Sequence, residues 1–149
     1  RAGVGIATVF RHFPTKDALV EATLIGQFDR LRDQASRFGA ELDPGAAVRE
    51  LIAALIETSS TKLTLISLVG ENGEFPPAVK EATGRVQATI GGVLARAKEA
   101  GVVAGDVTVD EFFVLVRGLG QATVTMPAAA MTLDRAVELV LRGLAPARA

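Results

Sequence analysis

The sequence contains no cysteine and a single histidine, His12. The absence of thiols excludes a disulfide framework, a thiolate metal site and a cysteine nucleophile, and it fits a reducing compartment. One imidazole is too few for a histidine-based metal site. The sequence therefore predicts neither a metal nor another cofactor.

Long apolar runs and a signal peptide are also missing. The longest uncharged stretch, from Gly118 to Leu133, includes Gln121 and Pro127, and it is shorter than the ~20 apolar residues that a membrane-spanning helix needs. Hydrophobic residues make up 49% of the chain and charged residues 22%, which is typical of a folded globular protein. We expect a soluble, cytoplasmic protein with no membrane partner.

The net charge of the chain is close to zero, but positive charge is concentrated at the N-terminus. The net charge is −1, whereas a protein that coats nucleic acid over its whole surface would be more basic. Residues 1–16 contain Arg1, Arg11, His12 and Lys16, and no acidic residue. Any contact with DNA is therefore expected to be local and N-terminal.

Helical periodicity dominates the rest of the chain, because apolar residues recur at three- and four-residue steps. Leu63 to Val69 could form a buried strand, but it would have no partner strand. The fold class is therefore predicted to be all-α. We predict helices from Thr15 to Gly39, from Asp43 through Ile56 and from Leu63 to Gly70. After a loop from Glu71 to Pro77, we predict a long helix that ends just before Gly101, and two more from Thr108 to Pro127 and from Thr132 to Leu144.

The common signatures of enzymes are lacking. The glycine pairs Gly3-x-Gly5 and Gly118-x-Gly120 do not follow strands of a βαβ unit, so they do not indicate a dinucleotide site. Gly118 and Gly120 are instead predicted to let two helices approach closely. No Ser-His-Asp set and no pair of carboxylates suited to acid–base work is evident. We predict that the protein is not an enzyme.

The most specific signal is the stretch from Gly3 to Leu19. Gly3 permits a tight turn, and Val4, Val9 and Phe13 have the spacing of residues that pack inward. This is the pattern of the second half of a helix-turn-helix. Because a chain rarely begins inside such a motif, we expect the natural protein to contain residues before Arg1. The side chains left to face a DNA groove or backbone belong to Ile6, Ala7, Thr8, Phe10, Arg11 and His12.

This stretch resembles the TetR/AcrR family of bacterial transcriptional regulators. The family signature runs roughly A-G-V-S-x-G-T-[LI]-Y-x-[HY]-F-x-x-K-[ED]-x-L, and Ala2 to Leu19 follow it without a gap as AGVGIATVFRHFPTKDAL. Gly5 replaces the usual serine and Phe10 the usual tyrosine, which removes two hydroxyls that would contact phosphates. The resemblance implies that residues 1–22 are the C-terminal part of a helix-turn-helix DNA-binding domain. Residues 23–149 would form a helical ligand-binding and dimerisation domain.

The resemblance also implies roles for residues of the motif. Thr8 and Arg11 would contact base edges or nearby phosphates, while His12 and Lys16 would hold phosphates, Lys16 near a helix N-terminus that favours anions. For Arg11, His12 and Lys16 the alternative is a solvated surface position, and for Phe10 it is the core. The implied DNA-binding set is Gly5, Ile6, Ala7, Thr8, Phe10, Arg11, His12 and Lys16.

A ligand pocket among the middle helices and a dimer interface are implied as well. Arg117 interrupts an apolar helix and would suit an acidic ligand. For each pocket residue the alternative is an ordinary position on a helix surface. Helices near 108–126 and 132–144 have enough apolar surface for a homodimer interface, or they simply close the core. The implied lining is Phe28, Thr58, Gln87, Phe112, Arg117 and Gln121.

The sequence thus predicts a dimeric, ligand-responsive transcriptional regulator. We expect a repressor that binds a palindromic double-stranded DNA operator and is released by a small apolar effector molecule. One alternative is a helical small-molecule or lipid-binding protein that has lost DNA binding. An activator or accessory DNA-binding protein is a further alternative.

Overall fold

The computed structural model of the chain describes residues 13–69, 75–126 and 130–147, with the backbone alone for residues 60–69 and 130–131. These residues contain helices and no strand, as the all-α prediction requires. The helices are α1 (Lys16–Glu41), α2 (Pro44–Val69), α3 (Pro77–Glu99), α4 (Val109–Thr125) and α5 (Ala130–Leu144).

The core lies where α1, α2 and α3 meet, with α4 packed on α2. α1 contacts both α2 and α3 extensively, and α5 touches α2 and α4 at the edge of the bundle. The largest fully buried side chains come from all of the first four helices, for example Leu24, Leu51, Leu94 and Phe112. Burial of each such side chain contributes about 1.5–3 kcal/mol to the free energy of folding. The buried apolar side chains therefore hold the first four helices together.

Capping residues set several helix ends where the sequence predicts them. The hydroxyl of Thr15 accepts a hydrogen bond from the Ala18 amide (3.1 Å) at the start of α1. Thr108 and Glu111 form a reciprocal capping box, in which each side chain accepts from the other's backbone amide (2.8 and 3.1 Å). Gly101, just beyond α3, has a φ of 70°, which glycine adopts without strain. These three predictions are confirmed.

Two predicted helix boundaries are wrong. α2 runs without a break from Pro44 to Val69, where the sequence predicts two separate helices. Thr58 and Ser59 lie inside it and donate their hydroxyls to carbonyls one turn earlier (2.7 Å each), an arrangement compatible with continuous helix. Helical backbone already begins at Ala130, so Thr132 lies inside α5 and is not its N-cap.

An ion pair joins α2 to α5 at the edge of the bundle. Arg49 of α2 pairs with Glu138 of α5, and this hydrogen bond holds the pKa of the Glu138 carboxyl below its usual value.

Among the described helices, none combines the length and the hydropathy that crossing a membrane requires.

Candidate ligand-binding site

A cavity of about 470 Å³ opens between α1, α2, α3 and α4. This volume falls within the range of about 300–1,000 Å³ that is common for small-molecule sites. In the part of the chain that the structure describes, no group of His, Asp or Glu is placed to hold a metal ion. The described residues that line it are Phe28, Leu31, Leu55, Thr58, Ser59, Thr83, Val86, Gln87, Asp110, Phe113, Val114, Val116 and Arg117.

The floor of the cavity is apolar. Phe28 and Leu31 of α1, Leu55 of α2, Val86 of α3 and Val116 of α4 are all buried. They face the same space because each lies on the inward stripe of its helix. A ligand that covers this floor gains about 25 cal/mol for every Å² of apolar surface removed from water.

Three partly buried hydroxyl side chains also line the cavity. Thr58 and Ser59 of α2 and Thr83 of α3 each donate to the carbonyl four residues earlier, at 2.7, 2.7 and 2.9 Å. A hydroxyl has one donor and two acceptor positions. The hydrogen of each group is therefore engaged within its own helix, and its remaining lone pairs are available as acceptors.

The rim of the cavity is exposed and carries the charged groups. Gln87 of α3 and Asp110 and Arg117 of α4 lie there. Neither charged residue forms an ion pair with another residue in the described part of the chain. Asp110 and Arg117 are seven residues apart on one helix, which separates them by about 10 Å along its axis. The rim thus has a negative end and a positive end.

The structure brings four of the six predicted pocket residues together in this lining: Phe28, Thr58, Gln87 and Arg117. Phe112 is fully buried in the core, where its ring meets that of Phe113 edge to face at 6.2 Å. Gln121 is exposed and is not among the lining residues.

The sequence prediction missed four of the five α4 residues that line the cavity, among them Phe113 and Val114. Together with Asp110 and Arg117 they follow helical spacing of three, four and seven residues. That spacing is the signal that would have found them, with Arg117 as the starting point.

An ion-pair cluster joins α1 to α3 beside the cavity. The Asp29 carboxylate accepts from Arg32 at 3.2 Å and from Arg85 of α3 at 3.3 Å, and Arg85 also donates to Glu81 at 2.9 Å. Asp29 follows Phe28 directly. The cluster therefore links α1 to α3 next to the cavity floor.

Of the predicted DNA-binding residues, Gly5, Ile6, Ala7, Thr8, Phe10, Arg11 and His12 lie outside the described residues. Lys16 is the first residue of α1 and is exposed. Asp17 follows it in the first turn, where a negative charge stabilises the helix. Lys16 is thus accessible to an anion at the N-terminal end of α1.

The outer face of α4 and α5 exposes large apolar side chains. Leu115, Val124 and Leu139 are 47%, 45% and 54% exposed, and Met126, just after α4, is 68% exposed. In the same helices Phe112, Val116 and Leu144 are buried in the core. The two helices therefore close the core and also leave several apolar side chains exposed.

Comparison with known proteins gives matches along almost the whole chain. Residues 1–23 match the family described as bacterial regulatory proteins, tetR family. Residues 43–146 match the family described as transcriptional regulator SbtR-like, C-terminal domain. The crystal structure of a TetR transcriptional regulator from Streptomyces coelicolor is similar, with a TM-score of 0.82 and 28% sequence identity over 99% of this chain and 84% of that chain. Among proteins with curated functions, none matches.

Proposed function

Because the chain belongs to the TetR family of bacterial transcriptional regulators, we propose that it is a ligand-responsive repressor. It binds a near-palindromic operator as a homodimer, and a small, largely apolar molecule releases it by binding in the cavity. Residues 1–22 serve as the DNA-binding part and residues 23–149 as the ligand-binding and dimerisation part. The division at residues 22 and 23 falls inside α1, so no linker separates the two parts.

The observation that carries the proposal is that α1 contributes to both parts. Its first residues, from Lys16, lie in the segment that matches the tetR family, and Phe28 and Leu31 line the cavity. Phe28 lies twelve residues after Lys16, which is about 18 Å along one continuous helix. A ligand that displaces Phe28 therefore moves the start of α1. The ligand must bind the DNA-free arrangement more tightly, because only differential affinity shifts an equilibrium.

The DNA contacts in this proposal come from the motif. Thr8 and Arg11 read base edges or nearby phosphates, and His12 and Lys16 hold phosphates. The remaining members of the set are Gly5, Ile6, Ala7 and Phe10.

The proposed dimer forms through α4 and α5. Support comes from the exposed apolar side chains on these helices, Leu115, Val124 and Leu139, since association with a second copy would remove such side chains from water. Two copies are needed because one helix-turn-helix reads only a few base pairs. Symmetric half-sites lie about 34 Å apart, which is one turn of DNA.

The proposal is tested by titrating the full-length protein onto DNA from its own upstream region at two salt concentrations. We expect tight, salt-sensitive binding that random competitor DNA does not displace. Arg11→Ala should weaken it by about ten- to a hundredfold, as expected for loss of a base-edge contact. Lys80→Ala is the matched control, because Lys80 is an exposed cation on α3 outside the motif, and it should bind as the parent does.

Binding no tighter than to random DNA, and unchanged by Arg11→Ala, would contradict the repressor assignment. That result would favour a helical small-molecule or lipid-binding protein that has lost DNA binding.

A further inference from the structure

We infer that the effector is an amphipathic organic anion, which places its acidic group against Arg117 and its apolar body on the cavity floor. This inference rests on the proposed function, because it names the chemical class of ligand for the same cavity. It has three supports: the arrangement of donors and acceptors, the charges at the rim, and the position of the apolar surface.

The inner polar groups select against an anion. Thr58, Ser59 and Thr83 each have their hydroxyl hydrogen engaged by a carbonyl of their own helix. In this arrangement they present acceptor lone pairs to a ligand, and donating to it would first require breaking the hydrogen bond to the helix carbonyl. A carboxylate is itself an acceptor and gains nothing from them, whereas a ligand hydroxyl or N–H group can donate to them. An acidic group must therefore lie elsewhere.

The rim supplies the donors that an acidic group requires. A guanidinium has five N–H donors in a planar fork that suits a carboxylate, and Arg117 has no carboxylate partner in the described part of the chain. Asp110 is the other charged lining residue. It lies in the first turn of α4, where the helix N-terminus already stabilises its negative charge. Asp110 likewise has no ion-pair partner in the described part of the chain, so the rim carries one charge of each sign, and Arg117 is the one that can donate to an anion.

The apolar surface fixes the orientation of the ligand. The buried residues Phe28, Leu31 and Val86 lie at the floor, while Arg117 is exposed. A molecule with its acidic group at Arg117 can direct its apolar part inward and remove the floor from water. A hydrogen-bond donor on that apolar part would meet the hydroxyls. The effector is therefore an organic acid with an apolar body and an inner donor.

Matched probes test this inference on the full-length protein. Affinities are measured by calorimetry for phenylbutyrate, phenylbutylamine and phenylbutanol, which share one apolar body and differ in charge. We expect the acid to bind at least about tenfold more tightly than the alcohol, since a hydrogen bond to a charged group adds that much. The amine should bind more weakly than the acid. Release of operator DNA by each probe is followed in parallel.

Arg117→Met tests whether that residue is the source of the preference. It should bring the acid-to-alcohol affinity ratio to about one and leave the affinity for the alcohol within about twofold, because only the charged contact is lost. Arg96→Met is the matched control. Arg96 is exposed near the end of α3 and does not line the cavity, so this variant should keep the full preference.

A second pair of probes tests the inner hydroxyls. We expect para-hydroxyphenylbutyrate to bind more tightly than para-methoxyphenylbutyrate, because only the first can donate a hydrogen bond. Equal or reversed affinities would overturn the assignment of an inner donor.

Each remaining result is decisive. Tighter binding of the alcohol or the amine, with release of DNA, would overturn the anionic class and leave the ligand-responsive regulator standing. An acid preference that survives Arg117→Met would overturn the role of Arg117. If no probe binds, the inference is overturned, and the Arg11→Ala titration still tests the DNA-binding function separately.

Discussion

Gly120 lies where α4 crosses α2, and the absence of a side chain there lets the two helices meet at the edge of the cavity. A Cβ atom built on Gly120 would be 2.8 Å from both Cβ and Oγ of Ser59 and 3.7 Å from Cα of Ile56. Since carbon atoms pack best at about 3.5–4.0 Å, Gly120→Ala requires a shift of roughly 0.7–1.2 Å. Rotation of Ser59 cannot supply it, because Cβ does not move when the hydroxyl rotates.

The magnitude follows from two opposing effects. Overpacking of this kind costs about 1–3 kcal/mol, while alanine in place of glycine inside a helix gains about 1 kcal/mol. We therefore expect Gly120→Ala to lower the free energy of unfolding by about 1 kcal/mol, which is about 2–4 °C in Tm for a chain of this size.

Gly92→Ala is the control for helix propensity. Gly92 lies exposed inside α3, and a Cβ there would meet nothing within 4 Å. This variant should be stabilised by about 0.5–1 kcal/mol. Both are measured by urea and thermal unfolding at one protein concentration, because association would make Tm depend on concentration. If Gly120→Ala proves as stable as Gly92→Ala, the close approach of α4 and α2 is refuted.

Three further perturbations probe the helix cap, the core and the outer face. Thr108→Ala should cost about 1 kcal/mol in urea unfolding, through loss of the α4 N-cap. The hydrogen bonds from Thr108 also lower the pKa of the Glu111 carboxyl from its ordinary 4.5. The contribution of Glu111 to stability is therefore present above pH 4.5 and is lost as the pH falls through the lowered pKa. Glu111→Gln should flatten the pH dependence of unfolding in that acidic range. Phe112→Ala should lower the free energy of unfolding by about 3–5 kcal/mol in urea, since the ring is fully buried. A loss below about 1 kcal/mol would contradict the burial of Phe112 in the core. Leu139→Asp should convert the proposed dimer to a folded monomer in sedimentation experiments, and an unchanged mass would exclude Leu139 from the interface.

The features that could be predicted from the sequence are those set by local chemistry. Thr15, Thr108 and Gly101 act within one turn of themselves, through a side-chain cap or a positive φ. The apolar stripe of α3 is also local, because it needs only the helical repeat. Such signals depend on no other element, so they hold however the helices pack.

The lining of the cavity could be predicted only in part, because it depends on how helices pack against one another. Phe112 and Phe113 are adjacent and chemically identical, yet Phe112 enters the core and Phe113 lines the cavity. Their roles are decided by where α2 crosses α4. The same crossing distinguishes Gly120, which touches Ser59, from Gly118, where a Cβ would have open space. The prediction of close approach is therefore confirmed for Gly120 and wrong for Gly118.

The contacts that hold α1 are of two kinds, an exposed ion pair and a buried apolar stripe. Asp29 pairs with Arg85 across α1 and α3 through side chains that are more than a third exposed, and such pairs contribute about 0–1 kcal/mol. Coupling between a ligand and DNA is usually about 1–3 kcal/mol. In the proposed regulator, a ligand seated on Phe28 could break this ion pair at little cost, whereas any movement of α1 must keep or repack the buried contacts of Leu24 and Ala35. The buried apolar side chains therefore set the position of α1 in the bundle, and the ion pair adds little to it.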